Sequence, residues 1–116
     1  MLPPAARLTR STDFELAVRR GRRAGRTRLV VHAHPAGPDV PTRVGFIVGR
    51  NVGGSVVRHR VQRRLRHLLR DRVGAIEPGT LVVVRALAPA AGASSAELAT
   101  DLDSALRKLH LIVSAA

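Results

Sequence analysis

A glycine-rich turn running into a two-sided helix constrains this chain more than any other stretch. The turn is Gly49-Arg50-Asn51-Val52-Gly53-Gly54-Ser55, and the helical pattern continues from Val56 to Arg70. Val57, Val61, Leu65, Leu68 and Leu69 recur at the spacing of an amphipathic helix and fill an arc of roughly 120° at 100° per residue. His59, Arg60, Arg63, Arg64, Arg66, His67 and Arg70 fall on the remaining arc. A merely solvated helix face mixes signs to offset self-repulsion, and here only Asp71 does so. One side must be buried against something apolar, and the other presents a field that suits a polyanion.

The charge of the whole chain is distributed to match. The formal net charge is +12, but residues 1–72 hold 17 arginines against four acids, and residues 73–116 hold three basic residues against four acids. The last third therefore reads as neutral scaffold. Nineteen of the twenty basic residues are arginine, whose planar guanidinium makes bidentate contacts to phosphate and stacks on bases. Apolar residues make up 45% of the 116, too many for a disordered basic tail and enough for one domain with a modest core. There is no cysteine, so neither a disulfide framework nor a zinc knuckle is available. No apolar run approaches 18 residues and the N-terminus has no apolar leader core, so the expectation is a soluble, cytoplasmic protein. The cationic helix has no Trp or Phe to insert into lipid, which argues against a membrane-surface role.

Around the central helix the chain reads as α+β. Residues 1–10 form an extended basic arm. A short helix follows over about 12–20, with Ser11 as N-cap and Gly21 in the C′ position. Arg22 to Arg26 is turn-like and basic, with room for a short edge strand. Leu29 to His34 and Thr42 to Gly49 read as strands, and the Pro/Gly-rich segment between them suggests an antiparallel hairpin. Glu77-Pro78-Gly79 is a turn, and Thr80 to Leu87 is an almost continuously apolar strand, as expected at a sheet centre. Ser94 with Glu97 makes a capping box for a last helix whose stripe is Leu98, Leu102, Leu106 and Leu109. Residues 112–116 are expected to fray. The order is αβββαβα in a single domain spanning 1–116.

The residues offer little catalytic chemistry. Gly49 and Gly54 have the spacing of a phosphate loop, but Ser55 stands where that motif needs Lys. The free N–H groups at the helix start can still face a backbone phosphate of RNA. His32 and His34 share a strand face without a local carboxylate to complete a metal site, which favours a polar surface pair or a nucleic-acid contact. The eight carboxylates are scattered, and no nucleophile–base pair is readable. Of the two aromatic residues, Phe46 reads as core and Phe14 as either core or a stacking platform.

The run from Arg43-Val44-Gly45-Phe46-Ile47-Val48-Gly49-Arg50 to Arg58-His59-Arg60-Val61-Gln62-Arg63-Arg64-Leu65-Arg66 resembles the signature of the bacterial ribonuclease P protein component. The resemblance extends to Arg7-Leu8, Asp13-Phe14, Gly21, the strand before Arg85 and the leucine-rich last helix. It implies a ribosomal protein S5 domain 2-like α–β sandwich, with a mixed sheet and a left-handed βαβ crossover around the motif helix. The general handedness rule would give a right-handed one. The resemblance further implies a protein that works, as a monomer within the holoenzyme, with a catalytic RNA to remove the 5′ leader of precursor tRNA, with Mg2+ bound mainly by the RNA. Residues at the family's positions for catalytic RNA are Arg58, His59, Arg60, Arg63 and Arg66. Those for the leader are Phe14, Val18, Val30, His32 and Arg50. Three features depart from the pattern: His59 replaces an Asn, Gln62 replaces a basic residue, and Val18 and His32 stand where rings are usual. Two rivals come from other classes. One is a ribosomal-protein-like RNA-binding module with no processing role. The other is a DNA reader, disfavoured because strands flank the basic helix on both sides.

Overall fold

The computed structural model describes residues 6–37 and 39–112. In chain order they form α1 (Ser11–Arg20), β1 (Arg22–Gly25), β2 (Leu29–Pro35), β3 (Arg43–Ile47), α2 (Ser55–Arg72), β4 (Thr80–Ala86) and α3 (Ser95–Lys108). The four strands make one mixed sheet in the order β1-β2-β4-β3. β4 pairs antiparallel with β2 and parallel with β3.

This overturns the expected hairpin. β2 and β3 do not pair, because β4 lies between them. The segment joining β2 to β3 is long and holds Pro38 and Pro41 as well as Pro35, so it imposes no two-residue turn register. β4 is buried at every position from Thr80 to Val84 and needs apolar cover on both faces and partners on both edges, so it takes the centre. The start of the parallel pair is fixed by side chains. Thr42 Oγ1 donates to Glu77 O at 2.7 Å and accepts from the Thr80 backbone N–H.

Alternation along the strands separates two apolar layers. Leu29, Val31, Ala33, Val44, Val82 and Val84 join Val61, Leu65 and Leu69 of α2 and the stripe of α3 in the main core. Leu98, Leu102 and Leu106 are fully buried, each contributing roughly 1.5–3 kcal/mol by leaving water. Leu81 and Val83 face the opposite side, where Ala17 of α1 and Leu8 cover them. The sheet is thus sandwiched between α2 and α3 on one face and α1 on the other.

The ends of the elements refine the sequence reading. The N-cap of α1 is Arg10 rather than Ser11, and no side chain caps it. Gly21 follows α1 in an extended conformation (φ −74°), not the left-handed one. It is needed for close approach, since a Cβ there would fall 2.3 Å from Ala17 O and 2.6 Å from Ala33 O. The capping box of α3 is present in both directions: Glu97 N–H donates to Ser94 Oγ at 3.1 Å, and Ser94 N–H donates to Glu97 Oε1 at 3.0 Å. The arm does not extend freely over its described part. Leu8 N–H donates to Val44 O at 2.9 Å, so this segment covers the outer edge of β3. Residues 1–5 of the arm and 113–116 of the expected frayed end lie outside the described residues.

Candidate nucleic-acid interface

The arginines of α2 fall into two groups with different partners. Arg60 Nη2 donates to Ala91 O at 3.1 Å and Arg64 Nη1 to Ala93 O at 2.6 Å, on the flank facing the 3₁₀ turn Ala88–Gly92. Arg72 is held by Asp103 of α3 (Nη2 to Oδ2, 3.1 Å), and this hydrogen bond raises its pKa. Arg70 pairs with Asp71. Arg58, His59, Arg63 and Arg66 have no hydrogen bond or ion pair among the described residues. Helix rotation explains the division. At 100° per residue Arg60 and Arg64 point toward α3, whereas His59, Arg63 and Arg66 lie on the outer and opposite arc. Of the five positions matched to the catalytic RNA, four are thus unpartnered and Arg60 is committed in part to the fold.

The acids of α3 bind arginines from other elements. Asp101 accepts from the Arg28 backbone N–H at 3.0 Å, and Glu97 Oε2 lies 2.9 Å from Arg28 Nη2. The Glu97 carboxyl is held below its ordinary value, first by the Ser94 backbone hydrogen bond and also by Arg28. Arg26 Nε reaches Ser104 Oγ at 2.8 Å, so the β1–β2 turn is clamped to α3. These contacts neutralise Arg28 and hold Arg26 against α3.

On the α1 face the sheet and helix form a cleft. Phe14 lies directly on Gly45, where an added Cβ would sit 2.4 Å from the ring Cζ. Packed so, the half-buried ring still lines open space on two sides. One groove, of about 230 Å³, runs between Phe14, Val18 and Ile47. The second, of about 220 Å³, lies between Phe14, Thr9, Phe46 and the α2 side chains Gln62 and Arg66.

The five positions matched to the leader are not equivalent. Phe14 and Val18 are half-buried and share the first groove, and Arg50 is exposed in the turn after β3. Val30 and His32 are buried, 6% and 3% exposed, and line neither groove. His32 and His34 share a face as the alternation requires, but His32 is not part of a polar surface pair. Both of its ring nitrogens are buried without a hydrogen-bond partner. Burial holds its pKa below the ordinary value, and the charges of Arg23 and Arg85 lower it further.

Register supplies residues that the sequence reading missed. Arg23 pairs with His32, and Arg85 sits opposite both Val30 and Ile47. Arg85 is exposed on the face shared with Leu81 and Val83. A lone charge inside an apolar strand was the available signal for it. Ile47 was legible as a residue on the face opposite Val44 and Phe46, but nothing local said which face carried the cleft. No group of three or more His, Asp or Glu among the described residues brings donors together for a metal ion.

Comparison with known proteins gives a consistent picture. The family model described as Ribonuclease P matches residues 2–110. The ribonuclease P protein component of Streptomyces avermitilis is 56% identical over 117 residues, covering 94% of this chain and 95% of that one. The Rhodococcus erythropolis protein of the same name is 52% identical, covering 98% and 96%. Among solved structures, the Staphylococcus aureus RNase P protein superposes with a TM-score of 0.82 over 93% of this chain and 98% of that one, at 19% identity. The Thermotoga maritima RNase P protein gives 0.75 over the same shares at 25% identity.

Proposed function

Since the chain belongs to the ribonuclease P protein family, and so is the protein component of a tRNA-processing endoribonuclease, we propose that its two basic surfaces hold two different RNAs. The outer ridge of α2, with His59, Arg63 and Arg66, together with half-buried Arg58 in the first turn of the helix, binds the catalytic RNA. The cleft between α1 and the sheet, with Phe14, Val18, Ile47, Arg50 and Arg85 and with Val30 and His32 buried in β2, takes the single-stranded 5′ leader of precursor tRNA. The observation that carries the reading is the separation of arginines on α2. Those toward α3 are spent on backbone carbonyls, and those on the outer arc have no hydrogen-bond or ion-pair partner among the described residues. Such groups suit phosphate, which accepts bidentate guanidinium contacts and releases counterions on binding.

Hydrolysis itself falls to the RNA. Five of the eight carboxylates of the chain are engaged by arginines, and none is grouped with a histidine that could move a proton for it. Mg2+ enters this scheme with the catalytic RNA, where it supplies charge stabilisation for phosphodiester cleavage. The chain contributes binding and orientation: it anchors the catalytic RNA on one side and fixes the leader on the other. We place this assembly in the cytoplasm with the chain as a monomer within it; no helix among the described residues is long and apolar enough to cross a membrane.

The test is reconstitution with catalytic RNA and precursor tRNA at low Mg2+. Adding the chain should restore leader removal that the RNA alone performs poorly. No gain over RNA alone would overturn the reading.

A further inference from the structure

The second groove is claimed by neither surface alone, because its walls come from both. Phe14 belongs to the leader cleft, and Arg66 belongs to the ridge of α2. Arg7 and Thr9 of the N-terminal segment and Gln62, one helical turn before Arg66, line it as well. Its volume of about 220 Å³ is several times the roughly 30 Å³ that one water occupies in the liquid, so the space suits a ring system rather than a single ion. Neither Gln62 nor Arg66 has a hydrogen-bond or ion-pair partner among the described residues. The chemistry of the walls is that of a nucleotide site. A guanidinium faces phosphate, an aromatic ring and Gly45 give an apolar wall, and an amide offers one donor and one acceptor to a base edge.

We infer that this groove holds a single unpaired RNA nucleotide, with Arg66 on its phosphate and Gln62 reading its base. The inference rests on the two-surface reading above and deepens it: the ridge and the cleft meet at one nucleotide-sized pocket. A lysine or arginine at position 62 would attract phosphate without regard to sequence. Glutamine there gives up a charge and gains base discrimination, since unpaired bases expose edges that an amide can match. The nucleotide comes either from the leader or from the catalytic RNA. The chemistry is the same for both, and the test separates them.

The experiment uses the full chain assembled with catalytic RNA and measures two affinities, for catalytic RNA and for precursor tRNA, in the wild type, Gln62→Leu and Gln62→Lys. Thermal unfolding of each variant confirms that it folds. Gln62→Leu should weaken one of the two affinities by about tenfold, the scale of losing one base contact. Gln62→Lys should restore the affinity with a steeper salt dependence but abolish discrimination between bases. Abasic substitution through the leader, and nucleotide-analogue interference through the catalytic RNA, should find one position whose loss costs the wild type the same factor and costs Gln62→Leu nothing. A position in the leader assigns the pocket to substrate, and one in the catalytic RNA assigns it to assembly. Unchanged affinities in Gln62→Leu, or a loss that no single nucleotide position shares, would overturn the inference. Failure of the wild type to bind either RNA would instead overturn the underlying function.

Discussion

Phe14 and Gly45 show how a single atom sets the floor of the cleft. The ring rests where a Cβ would be, with Cζ at 2.4 Å and the Leu8 Cβ at 3.1 Å from that point. Gly45→Ala must therefore displace the ring or the strand. A loss of about 1–3 kcal/mol is expected from overpacking, read by thermal unfolding. Pairing it with Phe14→Leu should recover part of that loss, because the two sites share one contact. His32 gives a second prediction at this scale. Its pKa in the folded chain lies below the ordinary 6.5, so below that pH the unfolded chain takes up a proton that the folded chain resists. Stability from neutral His32 is present above pH 6.5 and is lost as pH falls through the region beneath it. His32→Leu should flatten this part of a plot of melting temperature against pH. If it leaves the slope unchanged, the dependence arises elsewhere.

At the scale of elements, the end of α3 carries a built-in cost. His110 is the one non-glycine residue with positive φ (58°) among the described residues. It closes the helix in a Schellman arrangement, with Leu111 N–H donating to Leu106 O at 2.9 Å and His110 N–H to Arg107 O at 3.0 Å. Leu111 is buried behind it, and Arg22 Nη2 adds a bond to Leu109 O at 2.8 Å. A side chain in this conformation costs about 1 kcal/mol relative to glycine. His110→Gly should raise stability by about that amount, an increase of roughly 4–8 °C in melting temperature for a domain of this size. Much of this level was legible in the sequence. The capping box and the leucine stripe follow from local spacing, because each is decided within one or two turns. The N-cap of α1 and the role of Gly21 were not. Gly21 answers to the Ala33 carbonyl on a neighbouring strand, which no local pattern records.

For the molecule as a whole, charge is sorted by packing. Glu97, Asp101 and Asp103 on α3 absorb Arg28 and Arg72, while Arg63 and Arg66 on α2 have no ion-pair partner among the described residues. Replacing Arg63 and Arg66 together with alanine should weaken binding of the catalytic RNA and lower the slope of log affinity against log salt by about 1.4–1.8, two phosphate contacts' worth. Replacing Arg60 and Arg64 should act differently. Their bonds to Ala91 and Ala93 tie α2 to the segment before α3, so the melting temperature should fall while the salt slope changes less. Equal slopes for both pairs would mean that the orientation of α2 does not decide which arginines meet RNA.

The candidate site was legible in part for the same reason. A cationic helix seated by a glycine turn is written in residue spacing, and so is its partner class, because periodicity and charge are local properties. Which of its arginines are free depends on where α3 lies. Whether His32 is exposed or buried depends on what covers β2. The strand order depends on β4 displacing the apparent hairpin between β2 and β3. Each of these is a contact between residues far apart in the chain, and only burial of both faces of β4 selects among the pairings that local pattern allows. The sequence by itself determined the order of the elements and the two-sided cationic helix. The tertiary structure decided the sheet order, the composition of the cleft, and the groove that Phe14 shares with Gln62 and Arg66 of α2.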